Sequence, residues 1–202
     1  GLTDLQNQTK NEQDYVKKEV DDFTKIDIKS SSYNVLIKSA DVNKATLSYY
    51  QKTKNPIDTT VKDGQLTIND NNSKLDSTSK KHINFFGLKD LINLSSTIDQ
   101  EIRKQTIIIT LPKKQTIDFL KADLATGHLD LSNSTVKQAD INLNMGDLTF
   151  TKMIVSNLKA NLDVGSVDSD NTLFTNADLS IAMGEFSGNN LIFNGHNKID
   201  AT

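Results

Sequence analysis

Hydrophobic and polar residues alternate over four segments between Phe23 and Asp70. The segments are FTKIDIK, YNVLIKS, ATLSYYQ and QLTIND. A period of two is typical of half-buried β-strands, because successive side chains of a strand point to opposite faces. Turn-forming residues separate the segments, at 30–32, 55–56 and 63–64. The pattern therefore predicts β-structure from residue 23 onward.

The second half of the chain contains a repeat with a fixed period. Four glycines are each separated from the next by 19 residues, and they are Gly127, Gly146, Gly165 and Gly184. Hydrophobic residues keep one phase around all four glycines, at seven, five and three positions before and at two and nine positions after. A fixed period near 20 residues indicates a solenoid, in which stacked units share one core.

The spacing inside each unit distinguishes a strand repeat from a helical one. The hydrophobic positions before each glycine are two residues apart, which is the period of a strand and excludes a helical array. We predict an all-β fold, a single-stranded parallel β-helix (β-solenoid) with coils of about 19 residues. Successive coils would lie about 4.8 Å apart. We expect a right-handed coil by analogy with most parallel β-helices.

The four glycines are predicted to be structural, because a tight corner between two sheets often requires a positive φ that glycine adopts without a Cβ clash. A column of charged residues supports this register. Six positions before each glycine the charges alternate along the stack, in the order Lys121, Asp140, Lys159 and Asp178. Opposite charges on neighbouring coils attract, although exposed pairs contribute at most about 1 kcal/mol each.

The chain divides into a polar start and one long domain. Residues 1–21 are predicted to form a polar tail or a short exposed helix, with a disordered linker as the alternative. Residues 22–202 are predicted to form the β-solenoid, with its regular repeats at 116–194. After Phe193 another unit begins about one residue out of phase. We expect that the native protein continues there or that a dimer covers this open end of the solenoid.

An insertion at 70–104 interrupts the strands. It begins as a polar loop and then contains a hydrophobic cluster between residues 83 and 94. The cluster either folds back over an open end of the core, which we favour, or contacts a membrane or a partner. The candidate contact residues are Phe85, Phe86, Leu88 and Leu91.

Composition excludes several functional classes. The chain has 202 residues, no cysteine and a net charge of −3. The absence of cysteine excludes disulfide scaffolds, thiolate zinc sites and cysteine nucleophiles. The slight negative charge argues against nucleic acid as a partner. No segment approaches the 18 or so apolar residues of a membrane span. We expect a signal peptide or membrane anchor to precede Gly1 in the native protein.

Candidate chemistry is sparse. One column, directly after the glycines, contains His128, Asp147, Ser166 and Glu185. His128 beside Asp147 could form an acid–base pair or a weak metal site, but a solvated turn is the better interpretation. Calcium-binding repeats, EF-hand loops and phosphate-binding loops are absent. The sequence therefore predicts no catalytic residue, no metal and no cofactor.

The order of motifs resembles the bacterial putative-adhesin family, a domain of unknown function. The similarity covers about residues 23–200 and rests on FTKIDIKSSSYNVLIKSAD, VKDGQLTIND, the strand TIIITLP and the repeats GHLDL, GDLTF, GSVDS and GEFSG. The resemblance implies a β-solenoid outside the cell, often tethered to the membrane of Gram-positive bacteria. Some similar proteins belong to cell-envelope stress responses. The family has no established catalytic residues, so none are carried over.

Three functional hypotheses remain. The first is a non-enzymatic extracellular adhesin-like binding or scaffold module, with a protein, glycan or envelope component as its partner. The second is an envelope-stress sensor that contacts a membrane, an antimicrobial peptide or a membrane signalling partner through the 83–94 segment. The third and most remote is a carbohydrate-active enzyme on a β-helix. Such a lyase needs basic residues for uronates, and the single arginine, Arg103, lies outside the repeats.

Overall fold

The computed structural model describes residues 13–70 and 97–202. The chain is all-β apart from one helix, α1, in these residues. The elements are β1 Gln13–Glu19, β2 Lys25–Ser30, β3 Asn34–Ala40, β4 Thr46–Lys52, β5 Asp58–Lys62, β6 Gln65–Asn69, α1 Thr97–Lys104, β7 Thr106–Pro112, β8 Thr116–Ile117, β9 Phe119–Thr126, β10 Leu129–Ser132, β11 Thr135–Val136, β12 Ala139–Met145, β13 Leu148–Thr151, β14 Ile154–Asn194 and β15 Lys198–Ala201.

The repeats stack as parallel strands on three sides of a β-solenoid-like fold. Each pairing between neighbouring repeats joins residues that are 19 apart in the sequence. Strand β14 is long because it runs through two repeats and turns their corners without interruption. The aligned residues of the three sides are Leu120–Ala139–Leu158, Leu129–Leu148–Val167 and Thr116–Thr135–Ile154.

Strands β2 and β3 extend the same stack by one coil. Ile26 pairs with Leu120, and Val35 pairs with Leu129. The chain then leaves the stack after β3 and returns at β8, which lies beside β11. The excursion therefore spans residues 41–115, which is more than the predicted insertion at 70–104. The local alternation of β4 to β6 predicts strands but carries no information about where they pair.

The excursion finishes one end of the stack. Strand β6 lies parallel on β2, and β5 closes this side as an antiparallel hairpin with β6. Strand β7 lies parallel on β3, followed by the antiparallel strands β4 and β1. Antiparallel strands change the direction of the sheet at this end, so the parallel coils stop here.

Residues 13–19 were expected to form a tail or helix, and this expectation is wrong. They form the edge strand β1, which pairs along its whole length with β4. Val16 packs against the core, whereas Tyr15 contacts Tyr50 with 4.8 Å between ring centroids. Good helix formers such as Lys17 and Glu19 are overridden by main-chain pairing to a distant strand.

The core fills the interior with one layer per coil. The alternation of Leu120, Ala139, Leu158 and Ala177 places large residues against small ones, and all four are buried. Three phenylalanines form a second ladder along the stack. The ring of Phe174 lies edge-on to Phe150 at 5.2 Å and is stacked on Phe193 at 5.4 Å. Such pairs prefer these offsets because of the ring quadrupole.

Strand β15 is the last strand at the opposite end of the stack. Its register is shifted by one residue, because Asp178 pairs with Lys198 rather than with residue 197. Phe193 and Ile199, which would face a further coil, are exposed. In the part of the chain that is described, no helix is long and apolar enough to span a bilayer.

Candidate functional site

The glycine column holds the corner between the first and second sides of the stack. All four glycines have φ between 151° and 156°. A Cβ atom on Gly146 would lie 1.7 Å from the carbonyl oxygen of Gly127, and the next two glycines repeat this distance. Neighbouring backbones therefore approach more closely than any side chain allows. This contact fixes the columns on both sides of the corner in register.

His128 and Asp147 meet in the column directly after the glycines. The Nδ1 atom of His128 lies 3.3 Å from Oδ2 of Asp147. The other carboxylate oxygen of Asp147 accepts a hydrogen bond from the backbone N–H of Ser166 at 2.9 Å. The backbone N–H of His128 donates to Oδ1 of Asn34 at 3.0 Å. These bonds connect four successive coils.

The hydrogen bond from His128 lowers the pKa of Asp147, partial burial opposes the shift, and the Ser166 N–H lowers the pKa further. A carboxylate held in its charged form is a poor general acid at neutral pH. In a Ser-His-Asp relay the histidine lies between the other two residues. Here Asp147 lies between Ser166 and His128, so the column cannot work as that relay.

Metal binding finds little support among the described residues. Within 13–70 and 97–202, no group of three or more histidine, aspartate or glutamate side chains could hold a metal ion. His128 and Asp147 provide only two donors, and a stable site commonly needs at least three protein ligands. The geometry therefore favours a hydrogen-bonded ladder at a partly solvated corner.

Polar ladders also run along the other faces. Asn142 donates to Asp123 at 3.1 Å and accepts from Asn161 at 3.4 Å. Asn190 donates through its amide to the amide oxygen of Asn171. The alternating charged column has the expected register, with Asp140 between Lys121 and Lys159. Each of these columns therefore places one polar group at every coil that it crosses.

A column of exposed apolar residues lies directly before the glycines. It consists of Met145, Val164 and Met183, and we name it the methionine stripe. Met145 pairs with Val164 in the parallel sheet. Their exposed fractions are 55%, 40% and 65%, respectively. Sequence reasoning missed this column, although its signal was an apolar residue directly before each of the last three glycines, two positions after the last buried residue of the strand.

A second apolar column lies on the third side of the stack. Ile154 is 48% exposed and Ile192 is 56% exposed, with Leu173 half-buried between them. These residues border a shallow groove of about 260 Å³, whose other wall contains Lys152 and Asn171. The residues of this wall have φ near 50°, which asparagine tolerates better than lysine does.

A buried carboxylate joins the excursion to the stack. Asp70 is 2% exposed, and its Oδ2 atom accepts from the N–H of Ser31 at 2.7 Å and from the hydroxyl of Ser30 at 2.8 Å. The Ser30 hydroxyl in turn accepts from the N–H of Tyr33 at 2.9 Å. The serine corner, predicted only as a turn, is therefore held by a residue 40 positions away.

The predicted contact residues of the insertion lie outside the described part of the chain. These residues are Phe85, Phe86, Leu88 and Leu91. Their contact with a membrane or partner stays a prediction.

Comparison with known proteins gives a family and a set of distant structures. Residues 23–200 match the family model described as Toastrack DUF4097. A putative cell adhesion protein from Clostridium sporogenes is 14% identical, with 93% of this chain and 100% of that chain covered and a TM-score of 0.46. A putative adhesin from Bacteroides fragilis is 16% identical, with 95% and 98% covered and a TM-score of 0.38.

A putative lipid binding protein from Parabacteroides distasonis is 9% identical, with 95% of this chain and 97% of that chain covered and a TM-score of 0.28. No curated protein matches the sequence.

Proposed function

Because the chain belongs to the Toastrack DUF4097 family, we propose that it is a non-enzymatic binding module displayed at the bacterial cell surface. Its partner would be a protein, a glycan or another envelope component. We infer a right-handed parallel β-helix with 19-residue coils as the scaffold. The constant register between repeats supports the coil length, and the handedness rests on analogy with most parallel β-helices.

The observation that carries the proposal is the repetition of outward-facing chemistry. The amide ladder through Asn142 and Asn161, the charged column through Asp140 and the methionine stripe each offer one group per coil. Coils about 4.8 Å apart form a flat, regular surface that suits an extended partner better than a small molecule. Small-molecule sites are typically concave and enclosed.

The chemistry of the glycine corner supports a non-enzymatic role. His128 and Asp147 were the candidate pair for a carbohydrate-active enzyme. Both carboxylate oxygens of Asp147 are engaged, one by His128 and one by the backbone of Ser166. This arrangement stabilises the corner but leaves no general acid and nucleophile facing each other across a bond to be cleaved.

The proposal is tested by a binding isotherm on bacterial envelopes. The purified, fluorescently labelled chain is titrated onto isolated envelopes, with unlabelled chain as competitor. We expect saturable, competed binding. Envelopes treated with protease or with periodate, which oxidises sugars, then assign the partner to the protein or the glycan class. Non-saturable retention, or no retention on any preparation, would contradict a surface-binding function.

A further inference from the structure

We propose that the methionine stripe is a docking surface for a basic amphipathic helix of a protein partner. The proposal rests on the surface-binding function and names the kind of partner that one face would take. Met145, Val164 and Met183 follow each other along the stack axis, and all three are exposed. A continuous exposed apolar column is uncommon on a soluble domain and marks interaction sites.

Methionine suits such a surface. Its unbranched side chain and polarisable sulfur adapt to differently shaped partners, and methionine is enriched at helix-binding grooves. The glycine corner beneath the stripe is rigid, because each backbone touches the next. The stripe therefore combines a fixed spacing of its Cα atoms with adaptable side-chain ends.

The charge around the stripe is of one sign. Within two positions of Met145, Val164 and Met183 the sequence has no lysine or arginine. The same positions contain three carboxylates, at Asp147, Asp163 and Glu185. An apolar column bordered by carboxylates complements a helix that has an apolar face flanked by lysine or arginine.

The spacing of the stripe fits a helix that lies along the stack axis. The coils are about 4.8 Å apart, and one turn of an α-helix rises about 5.4 Å. Apolar residues at positions i, i+4 and i+7 of a helix would therefore meet Met145, Val164 and Met183 in turn. Over two steps the mismatch is only about 1 Å, which flexible methionine side chains can absorb.

The same charges argue against two other occupants. A membrane rich in anionic lipids would be repelled by the carboxylates beside the stripe. A second copy placed stripe against stripe would bring like charges together. The basic helix is the occupant that satisfies both the apolar column and its acidic border.

The test uses a designed helical peptide of about 15 residues with leucine once per turn on one face and lysines beside it. Its binding to the full chain is measured by fluorescence anisotropy. Binding should weaken as salt is raised, because charge contributes. A control peptide with glutamate in place of the lysines should not bind.

Matched variants locate the binding surface. The double variant Met145→Ser with Met183→Ser should weaken binding about tenfold, through lost apolar burial. Met145→Leu with Met183→Leu should retain it. The double variant Ile154→Ser with Ile192→Ser, which alters an equally exposed column on another side, should bind like the parent. All these side chains are exposed, so folding should be preserved, as far-UV circular dichroism can verify.

Several results would overturn the proposal. One is an equal loss of peptide binding in the methionine and isoleucine variants. Another is a peptide affinity that does not change with salt concentration or with the charge of the peptide. Self-association in sedimentation that only the methionine variant loses would assign the stripe to a second copy. Binding to phosphatidylcholine vesicles that only this variant loses would assign it to lipid. Saturable envelope binding that persists in the methionine variant would leave the surface function intact while the helix proposal fails.

Discussion

Replacing Gly146 by alanine is expected to destabilise the fold far more than an ordinary glycine substitution. The added Cβ atom would lie 1.7 Å from the carbonyl oxygen of Gly127, whereas Cβ atoms essentially never come within 3.0 Å of such an atom. The two coils would have to separate locally by more than 1 Å. The positive φ of 153° adds strain for any residue with a side chain.

The separation would damage the hydrogen bonds that join the coils. The N–H of Gly127 donates to the carbonyl of Met145 at 3.0 Å, and the N–H of Gly146 donates to that of Val164 at 3.0 Å. Bonds of this length weaken steeply when they are stretched or tilted. Overpacking and backbone strain together predict a loss of about 3–5 kcal/mol in the free energy of unfolding.

Gly64 provides the matched control. It also has a positive φ, 74°, but a Cβ atom there would meet nothing within 4 Å. Gly64→Ala should therefore cost only the conformational strain, about 1 kcal/mol. Both variants are compared by urea unfolding followed by circular dichroism. If Gly146→Ala were no less stable than Gly64→Ala, close backbone contact would not be the reason for the glycine column.

Four further predictions follow from particular residues. Asp70→Ala should lower the free energy of unfolding by about 3 kcal/mol, because it leaves the buried Ser30 hydroxyl and the half-buried Ser31 N–H without their acceptor. A urea midpoint close to that of the parent would contradict this. Lys152→Asn should stabilise the fold by at most about 1 kcal/mol and raise the melting temperature, because asparagine tolerates the φ of 50° at this position better than lysine does. A lower melting temperature would refute the assignment of backbone strain to Lys152. Asp147 has a lowered pKa in the folded chain. Its contribution to the free energy of unfolding is therefore fully present above the ordinary pKa of 3.8 and is lost as the pH falls through the lowered pKa. The stability difference between the parent and Asp147→Asn should therefore shrink in acid, and a pH-independent difference would count against the His128 contact. Replacing residues 85–86 by serine should weaken liposome binding in a flotation assay if the 83–94 segment contacts membranes, and unchanged flotation would remove that hypothesis.

The repeat could be predicted because its cause is local and periodic. Gly127 and its three equivalents, with leucine or isoleucine three residues before each, recur at the spacing that the backbone pairing later reproduces. The residues predicted to face inward are buried as far as Ile181, whereas Phe186 is half-buried and Phe193 is exposed in the last coil. A solenoid repeats one set of neighbours, so a sequence period translates directly into contacts.

The capped end could not be predicted, because its contacts join distant segments. The strand TIIITLP is evident as a strand, but nothing local indicates that it lies between β3 and β4. The helix-forming residues of β1 conceal an edge strand. Asp70 holds a corner 40 residues earlier in the chain, and no spacing rule connects it to Ser30.

The candidate surface was only partly visible in the sequence. The column of His128 and Asp147 was found, because a period of 19 aligns them, and the structure brings them within 3.3 Å. The methionine stripe was missed, because the alternation that buries Leu143 also places Met145 on the inward phase, where an apolar residue is counted as core. Met145 shows that exposure depends on the direction of the corner, which a period alone does not define.

The most direct test of a surface-binding function is side-chain oxidation footprinting of the chain, free and bound to isolated envelopes. Methionine is readily oxidised when exposed, so Met145 and Met183 report on the stripe, while the buried Met153 serves as an internal control. Binding through the repeats predicts that both exposed methionines become protected together while Met153 does not change. Saturated binding with no protection on any repeat column would contradict the claim that the stacked repeats form the binding surface.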